Sequence, residues 1–155
     1  MVFRILSQEL LLIWIKFNQT RRNLNLRFLE LINVNIESLK RFDLNLVLSL
    51  RELDVSNNNL SDYNFSNFYS IYNVRRLIFR NVQLDSFGKI NYCRFQSITT
   101  LDFSNNRLKS IKKYDTECLN ILHNLDLSSN LISFIEEYAL LRLESLILLN
   151  LTGAQ

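Results

Sequence analysis

Proline is absent from this 155-residue chain, and glycine occurs only at Gly88 and Gly153. Because linkers between domains are usually rich in these residues, the sequence predicts a single domain. No apolar run approaches the roughly 18 residues that a membrane-crossing helix needs. We therefore expect no membrane span.

Histidine and cysteine are also scarce, since His123, Cys93 and Cys118 are the only ones. One histidine and two distant cysteines do not match the spacing of a zinc site. The sequence offers no obvious Ser–His–Asp arrangement around His123 and no glycine-rich loop that could hold a phosphate. It therefore predicts no catalytic residue, no metal site, no cofactor and no enzymatic activity.

Charge of one sign is not in large excess, because 18 lysines and arginines stand against 15 carboxylates. The resulting net charge of +3 is mild for a nucleic-acid-binding protein. No nucleic-acid partner is expected on this ground. With 48% apolar and 21% charged residues, the chain has the composition of a globular protein.

What the chain has in abundance is a 24-residue period of apolar residues. The first position of each repeat is apolar, at Leu26, Leu50, Val74, Ile98, Leu122 and Leu146. The fourth and sixth positions are apolar as well, at Leu29 and Leu31, Leu53 and Val55, Leu77 and Phe79, Leu101 and Phe103, Leu125 and Leu127, and Leu149 and Leu151. Alternation along a strand would bury these positions and expose the third, fifth and seventh. A single repeat cannot bury its apolar face alone, so the period predicts a solenoid of stacked, parallel strands.

The segments Leu50–Leu60, Leu101–Leu108 and Leu125–Leu131 carry a more specific pattern, L-x-x-L-x-L-x-x-N-x-L. The chain resembles the 24-residue typical class of the leucine-rich repeat family, as in Toll-like receptor ectodomains and secreted insect immune proteins. The resemblance implies an α/β repeat solenoid with a parallel sheet on its concave face and irregular or short helical convex segments. Residues 26–155 would form five full repeats and a truncated sixth. Residues 1–25 would form a degenerate N-terminal coil or cap in the same frame, with Ile5 equivalent to Leu29.

The ninth position of the repeat is asparagine in three repeats, at Asn58, Asn106 and Asn130. Their amides are expected to bond backbone groups of neighbouring coils, and we call them the asparagine ladder. Val34 and Val82 replace asparagine in alternating repeats, which would interrupt this ladder unless the neighbouring Asn33, Asn35 or Asn81 compensate. Asn105, one residue away, is expected to face solvent and to matter little for stability.

The concave face is the expected binding surface, and its third strand is the expected centre. The candidate binding residues are Glu52, Asp54, Arg76, Ile78, Arg80, Asp102 and Asp126. One hypothesis is that this mixture of charges recognises a protein partner, with an apolar contact at its centre. The other is that the charges pair across strands and keep the sheet soluble.

Arg27, Arg51 and Arg75 recur at the second position of three repeats and predict a basic edge. This basic edge could bind an anionic ligand, or it could simply be a solvated rim. The sequence favours the solvated rim. No aromatic residue is expected to interleave with these arginines on the same face, as a single-strand nucleic-acid binder would need.

The resemblance implies a non-catalytic protein-recognition module outside the cell or at its surface, with a possible role in innate immunity. Alternatives are a cytoplasmic adaptor of the same fold, or a repeat fragment without independent function. Outside the cell, Cys93 and Cys118 could form a disulfide, and the sequons at Asn59 and Asn64 could carry glycans. No polar cap follows the last repeat, so self-association or a partner subunit could cover the C-terminal end.

Overall fold

A computed structural model describes residues 2–5, 7, 9, 25–34, 48–62, 65 and 71–154. Seven of its strands form one parallel sheet in chain order. They are β1 (Val2–Ile5), β2 (Phe28–Leu31), β3 (Glu52–Asp54), β4 (Arg76–Ile78), β5 (Thr100–Asp102), β7 (Asn124–Asp126) and β9 (Leu148–Asn150). A second sheet pairs β6 (Ser110–Ile111) with β8 (Phe134–Ile135). The strands therefore stack as the repeats predict, one coil on the next.

The register of the main sheet follows the sequence period. Leu53 pairs with Leu77, Leu77 with Leu101, and Leu101 with Leu125, so each step is 24 residues. The step from β1 to β2 is different, because Ile5 pairs with Leu31. The sequence frame, which makes Ile5 equivalent to Leu29, is wrong by two residues there, and the first coil is correspondingly longer.

The core lies behind the sheet, where the fourth and sixth positions of the first five repeats are almost completely buried. Leu149 and Leu151 of the last repeat are only partly buried. Phe79 and Phe103 replace leucine at the sixth position of adjacent repeats, and their rings stack with centroids 5.3 Å apart. Phe87 packs on Phe103 at 5.0 Å and so joins the convex side to the sheet. Burying each of these side chains contributes roughly 1.5–3 kcal/mol. Because the stacked rings belong to adjacent repeats, the stability of each repeat depends on the packing of its neighbour.

The convex side is irregular between short 3-10 helices at Phe87–Lys89, Tyr92–Arg94 and Lys113–Asp115. This confirms the predicted fold class. Thr116 replaces the apolar residue of other repeats there, yet it is 1% exposed. Its hydroxyl donates to the backbone carbonyl of Ala139 in the next coil, so a polar side chain is tolerated at a core position.

A turn with left-handed backbone follows six of the strands, always at the eighth position of the repeat. Its φ values lie between 53° and 71°, at Asn33, Asn57, Asn81, Asn105, Ser129 and Gly153. Asparagine and glycine adopt this conformation more readily than other residues. The recurrent asparagine at this position therefore reflects backbone geometry, which the apolar period does not reveal.

Candidate binding surface

The solvent face of the seven-stranded sheet, the concave face, carries the candidate binding residues in register on adjacent strands. Glu52 stands opposite Arg76 and Asp54 opposite Ile78. Ile78 in turn stands opposite Asp102. Both residues are only 7% exposed, so the apolar contact expected at Ile78 is wrong. We call Glu52, Asp54, Arg76, Ile78, Arg80 and Asp102 the central patch. Asp126 continues it on β7, opposite Asp102.

Arg80 reaches across to the next strand at one edge of the central patch. One guanidinium nitrogen lies 2.6 Å from a carboxylate oxygen of Asp102, and Nε donates to the Ser104 hydroxyl at 3.2 Å. Burial raises the pKa of the Asp102 carboxyl, but hydrogen bonds from Ser104 and Arg80 outweigh this and leave the pKa below its ordinary value. The hydrogen bond to Asp102 likewise raises the pKa of Arg80. The pair is therefore charged over the ordinary pH range.

Two further ion pairs join cations and carboxylates across the concave face. Arg76 lies 3.8 Å from Glu52, and Arg4 on β1 pairs with Glu30 on β2. The Arg76 and Arg80 side chains still remain 51% and 54% exposed. They can consequently offer donors to a partner while they stay paired at one side.

The aspartates of the concave face also have a local task that sequence reasoning missed. Each accepts a hydrogen bond from the backbone N–H two residues later, at 2.9 Å for Asp54, 3.0 Å for Asp102 and 2.9 Å for Asp126. Asn150 does the same at 3.1 Å. Such Asx turns satisfy the backbone as the chain leaves the strand. These side chains therefore have a structural role in addition to any role in recognition or cross-strand pairing. The recurrent Asp-x-Ser spacing in the sequence is the signal that could have revealed this role.

The asparagine ladder connects successive coils through backbone groups. The Asn58 amide donates to the Leu31 carbonyl at 2.7 Å and accepts from the Val34 N–H at 2.9 Å. Asn130 donates to the Phe103 carbonyl and accepts from the Leu108 N–H. Val34 has no amide with which to bond the coil before it, but its own backbone N–H is bonded by Asn58 of the following coil.

A groove of about 540 Å³ opens beside the concave face, where the chain enters strands β2 to β4. Arg27, Arg51 and Arg75 line it together with Arg76 and Phe28. The expectation that no aromatic residue accompanies these arginines is therefore wrong. The sequence signal was present, because Phe28 directly follows Arg27 and β2 starts at that residue.

The remaining candidate residues are distributed over the edges of the solenoid. Asn59 is exposed, and its side-chain oxygen accepts from the Ser61 N–H at 3.1 Å. Asn64, the other predicted glycosylation site, lies outside the described residues. Cys93 and Cys118 are joined by a disulfide on the convex side, with Cα atoms 4.9 Å apart.

Two kinds of feature are absent from residues 2–5, 7, 9, 25–34, 48–62, 65 and 71–154. No group of three or more His, Cys, Asp or Glu side chains is placed to hold a metal ion there. In the same part of the chain, no helix has the length and apolar character that a membrane crossing requires.

The strand register, the buried leucine positions and the asparagine ladder define a leucine-rich-repeat-like solenoid, and the solved structure of internalin C2 agrees. Internalin C2 from Listeria monocytogenes superposes with a TM-score of 0.62 over 84% of this chain, at 19% identity. A TLR13–ssRNA13 complex superposes with a TM-score of 0.46 over 96% of this chain, at 17% identity. The chain spans 57% of the internalin chain and 27% of the TLR13 chain. No protein-family model and no curated protein sequence matches it.

Proposed function

We propose that this chain is a non-catalytic protein-recognition module that binds a protein partner through its concave face. The observation that carries the proposal is the central patch, where Arg76 and Arg80 are about half exposed on either side of Ile78. Arginine is enriched at interface hot spots. Ile78 is only 7% exposed, so the two arginines, and not an apolar centre, would make the contact. Glu52 and Asp102 keep both arginines oriented, which reduces the entropy that binding costs.

The proposal is tested by capture on the immobilised chain. The concave variant carries Arg76→Gln with Arg80→Gln, and a control carries Lys112→Gln with Lys113→Gln on the convex side. Both variants lose two positive charges. We expect partners that the wild-type chain and the convex control retain to be lost from the concave variant, while circular dichroism shows all three chains folded. Loss from the convex variant alone would place binding on the other side of the solenoid.

We also propose that the repeats belong to the 24-residue typical class and that the protein acts outside the cell or at its surface, in innate immune recognition. The 24-residue register supports the class. The Cys93–Cys118 disulfide supports the location, because cytosolic proteins usually keep their thiols reduced. Asn59 adds support, since its exposed amide nitrogen bonds to none of the described residues. The immune role rests on the resemblance of the repeats.

The location is tested on the protein from its native source. A glycan on Asn59 and an oxidised Cys93–Cys118 pair are the expected findings by peptide mass spectrometry. A reduced pair and an unmodified Asn59 would instead favour the cytoplasmic adaptor. A recombinant chain that failed to fold into a cooperative unit would favour a fragment without independent function.

A second proposal concerns the last described coil, where large apolar side chains are exposed. Leu141 is 66% exposed, Ile147 80% and Leu148 54%. Large exposed apolar side chains favour association with another chain. We propose that a second copy of this chain covers this surface.

A further inference from the structure

The groove beside strands β2 to β4 contains a concentration of positive charge that no carboxylate of the described residues pairs with, apart from Glu52 with Arg76. Arg27, Arg51 and Arg75 occupy equivalent positions in three consecutive coils. Parallel strands lie about 4.8 Å apart, so like charges in register repel one another. None of these three arginines forms an ion pair with any residue that the structure describes. The one carboxylate that lines the groove, Glu52, is the partner of Arg76.

The acidic part of the concave face shows how this fold relieves such repulsion elsewhere. Asp102 accepts hydrogen bonds from Arg80 and from the Ser104 backbone and hydroxyl. Within the part of the chain that the structure describes, Arg27, Arg51 and Arg75 have no such carboxylate partner. An anion bound among them would reduce their mutual repulsion.

The middle arginine is held in place before any ligand arrives. Arg51 donates from one guanidinium nitrogen to the Asn73 carbonyl at 3.0 Å and is only partly exposed. Its remaining donors have less freedom than those of a fully solvated arginine, so binding costs less side-chain entropy. Arg27 and Arg75 are exposed on either side of it and can close on an anion from both directions.

The size and lining of the groove indicate what kind of anion it accepts. About 540 Å³ is far more than an inorganic phosphate or sulfate fills, and it lies in the range of sites for small organic ligands. Phe28 is 38% exposed and supplies one apolar surface in the groove. A single-stranded nucleic acid stacks successive bases on several aromatic side chains, and the lining contains one. A sugar chain needs only one such surface.

We propose that this groove binds a sulfated oligosaccharide. Sulfate groups on successive sugars would accept charge-assisted hydrogen bonds from Arg27, Arg51 and Arg75, because guanidinium groups bind tetrahedral oxyanions through paired N–H donors. One sugar ring would pack its apolar face on Phe28. The site overlaps the proposed protein-binding surface at Glu52 and Arg76, and the variants that test it leave both residues unchanged.

The test uses a fluorescently labelled, fully sulfated heparin tetrasaccharide and the full chain, with binding measured by anisotropy. The groove variant carries Arg27→Ser with Arg75→Ser and retains Arg51, whose bond to Asn73 belongs to the fold. We expect the affinity to fall by about tenfold or more. A matched control, Arg107→Ser with Arg142→Ser, removes the same charge from exposed positions elsewhere and should change the affinity by less than about twofold.

Two further probes decide the chemistry of the ligand. The desulfated tetrasaccharide should not bind, and Phe28→Ser should weaken binding of the sulfated one. An oligothymidylate that bound more tightly than the sulfated tetrasaccharide would overturn the proposal in favour of a nucleic acid. An equal loss in the control variant, or no binding of the tetrasaccharide by the folded wild-type chain, would also overturn it. None of these outcomes depends on whether the concave face captures a protein.

Discussion

The side-chain oxygen of Asn106 accepts a hydrogen bond of 3.1 Å from the backbone N–H of Val82, 24 residues earlier. Val82 stands at the position where other repeats have asparagine. The same Asn106 oxygen accepts from the Leu84 N–H, and its amide nitrogen donates to the carbonyls of Phe79 and Phe103. One side chain thus satisfies buried backbone groups in two coils, and this is why valine can occupy the equivalent position of the preceding repeat.

We expect Asn106→Ala to lower the free energy of unfolding by about 1–3 kcal/mol, because it leaves several buried backbone groups without partners. Denaturant unfolding followed by circular dichroism measures this loss. Asn120→Ala is the control, since Asn120 is exposed and makes no such bonds, and its effect should stay within about 0.5 kcal/mol. Equal losses in the two variants would contradict the bonding role of Asn106.

Asn105 gives the second prediction, which reverses the expectation that it matters little. Its side chain is exposed, but its backbone has φ of 58°, where a side chain with Cβ is strained and asparagine is better tolerated than alanine. Asn105→Ala should therefore cost about 1 kcal/mol, whereas Asn105→Gly should be nearly neutral. Thermal melts of the two variants decide the matter. A glycine variant less stable than the alanine variant would contradict the backbone explanation.

The strands and the core were predictable because burial repeats strictly every 24 residues, and a strand buries alternate side chains. The left-handed turns were not predictable from that pattern, since Asn57, Asn81 and Asn105 are exposed and carry no apolar signal. The shifted first coil was missed for a related reason. A frame extrapolated from Leu29 cannot detect the two additional residues before β2, because Ile5 satisfies an apolar position in either alignment.

The candidate surface was only partly predictable. Sequence spacing placed Arg76, Ile78 and Arg80 on one strand and its continuation, but it could not decide which carboxylate each arginine would approach. Arg80 pairs with Asp102 on the following strand, β5, whereas Arg76 lies near Glu52 on the preceding strand, β3. Side-chain direction, which depends on the twist of the sheet and on local packing, makes that choice.

The third prediction concerns pH. The pKa of Asp102 is lower in the folded chain than the value of about 3.9 for an unfolded aspartate. Asp102 therefore stabilises the fold above that pH, and the contribution is lost as the pH falls through the folded pKa. Arg80→Gln removes one bond to the carboxylate and should raise the pKa of Asp102, as measured by carboxyl-carbon NMR titration. An unchanged titration midpoint would show that Arg80 does not stabilise the charged form.

The fourth prediction concerns the disulfide between Cys93 and Cys118, which are 25 residues apart. In the chain-entropy model, a closed loop of this size stabilises a fold by about 3 kcal/mol. Dithiothreitol should lower the melting temperature of the wild-type chain and leave that of Cys93→Ser with Cys118→Ser unchanged. A wild-type chain purified oxidised but insensitive to reductant would show that the crosslink contributes little to stability.

The last prediction concerns the exposed apolar surface of the final coil. If a second copy of the chain covers Leu141 and Ile147, the wild-type chain should associate as its concentration rises in sedimentation equilibrium. Leu141→Lys with Ile147→Lys places two charges where apolar contacts would form and should keep the chain monomeric. Tyr114→Lys is the control, because Tyr114 is 78% exposed but lies on a different coil, and it should leave association unchanged. A wild-type chain that remained monomeric at all concentrations would contradict self-association, and association equally weakened by Tyr114→Lys would place the contact elsewhere on the solenoid.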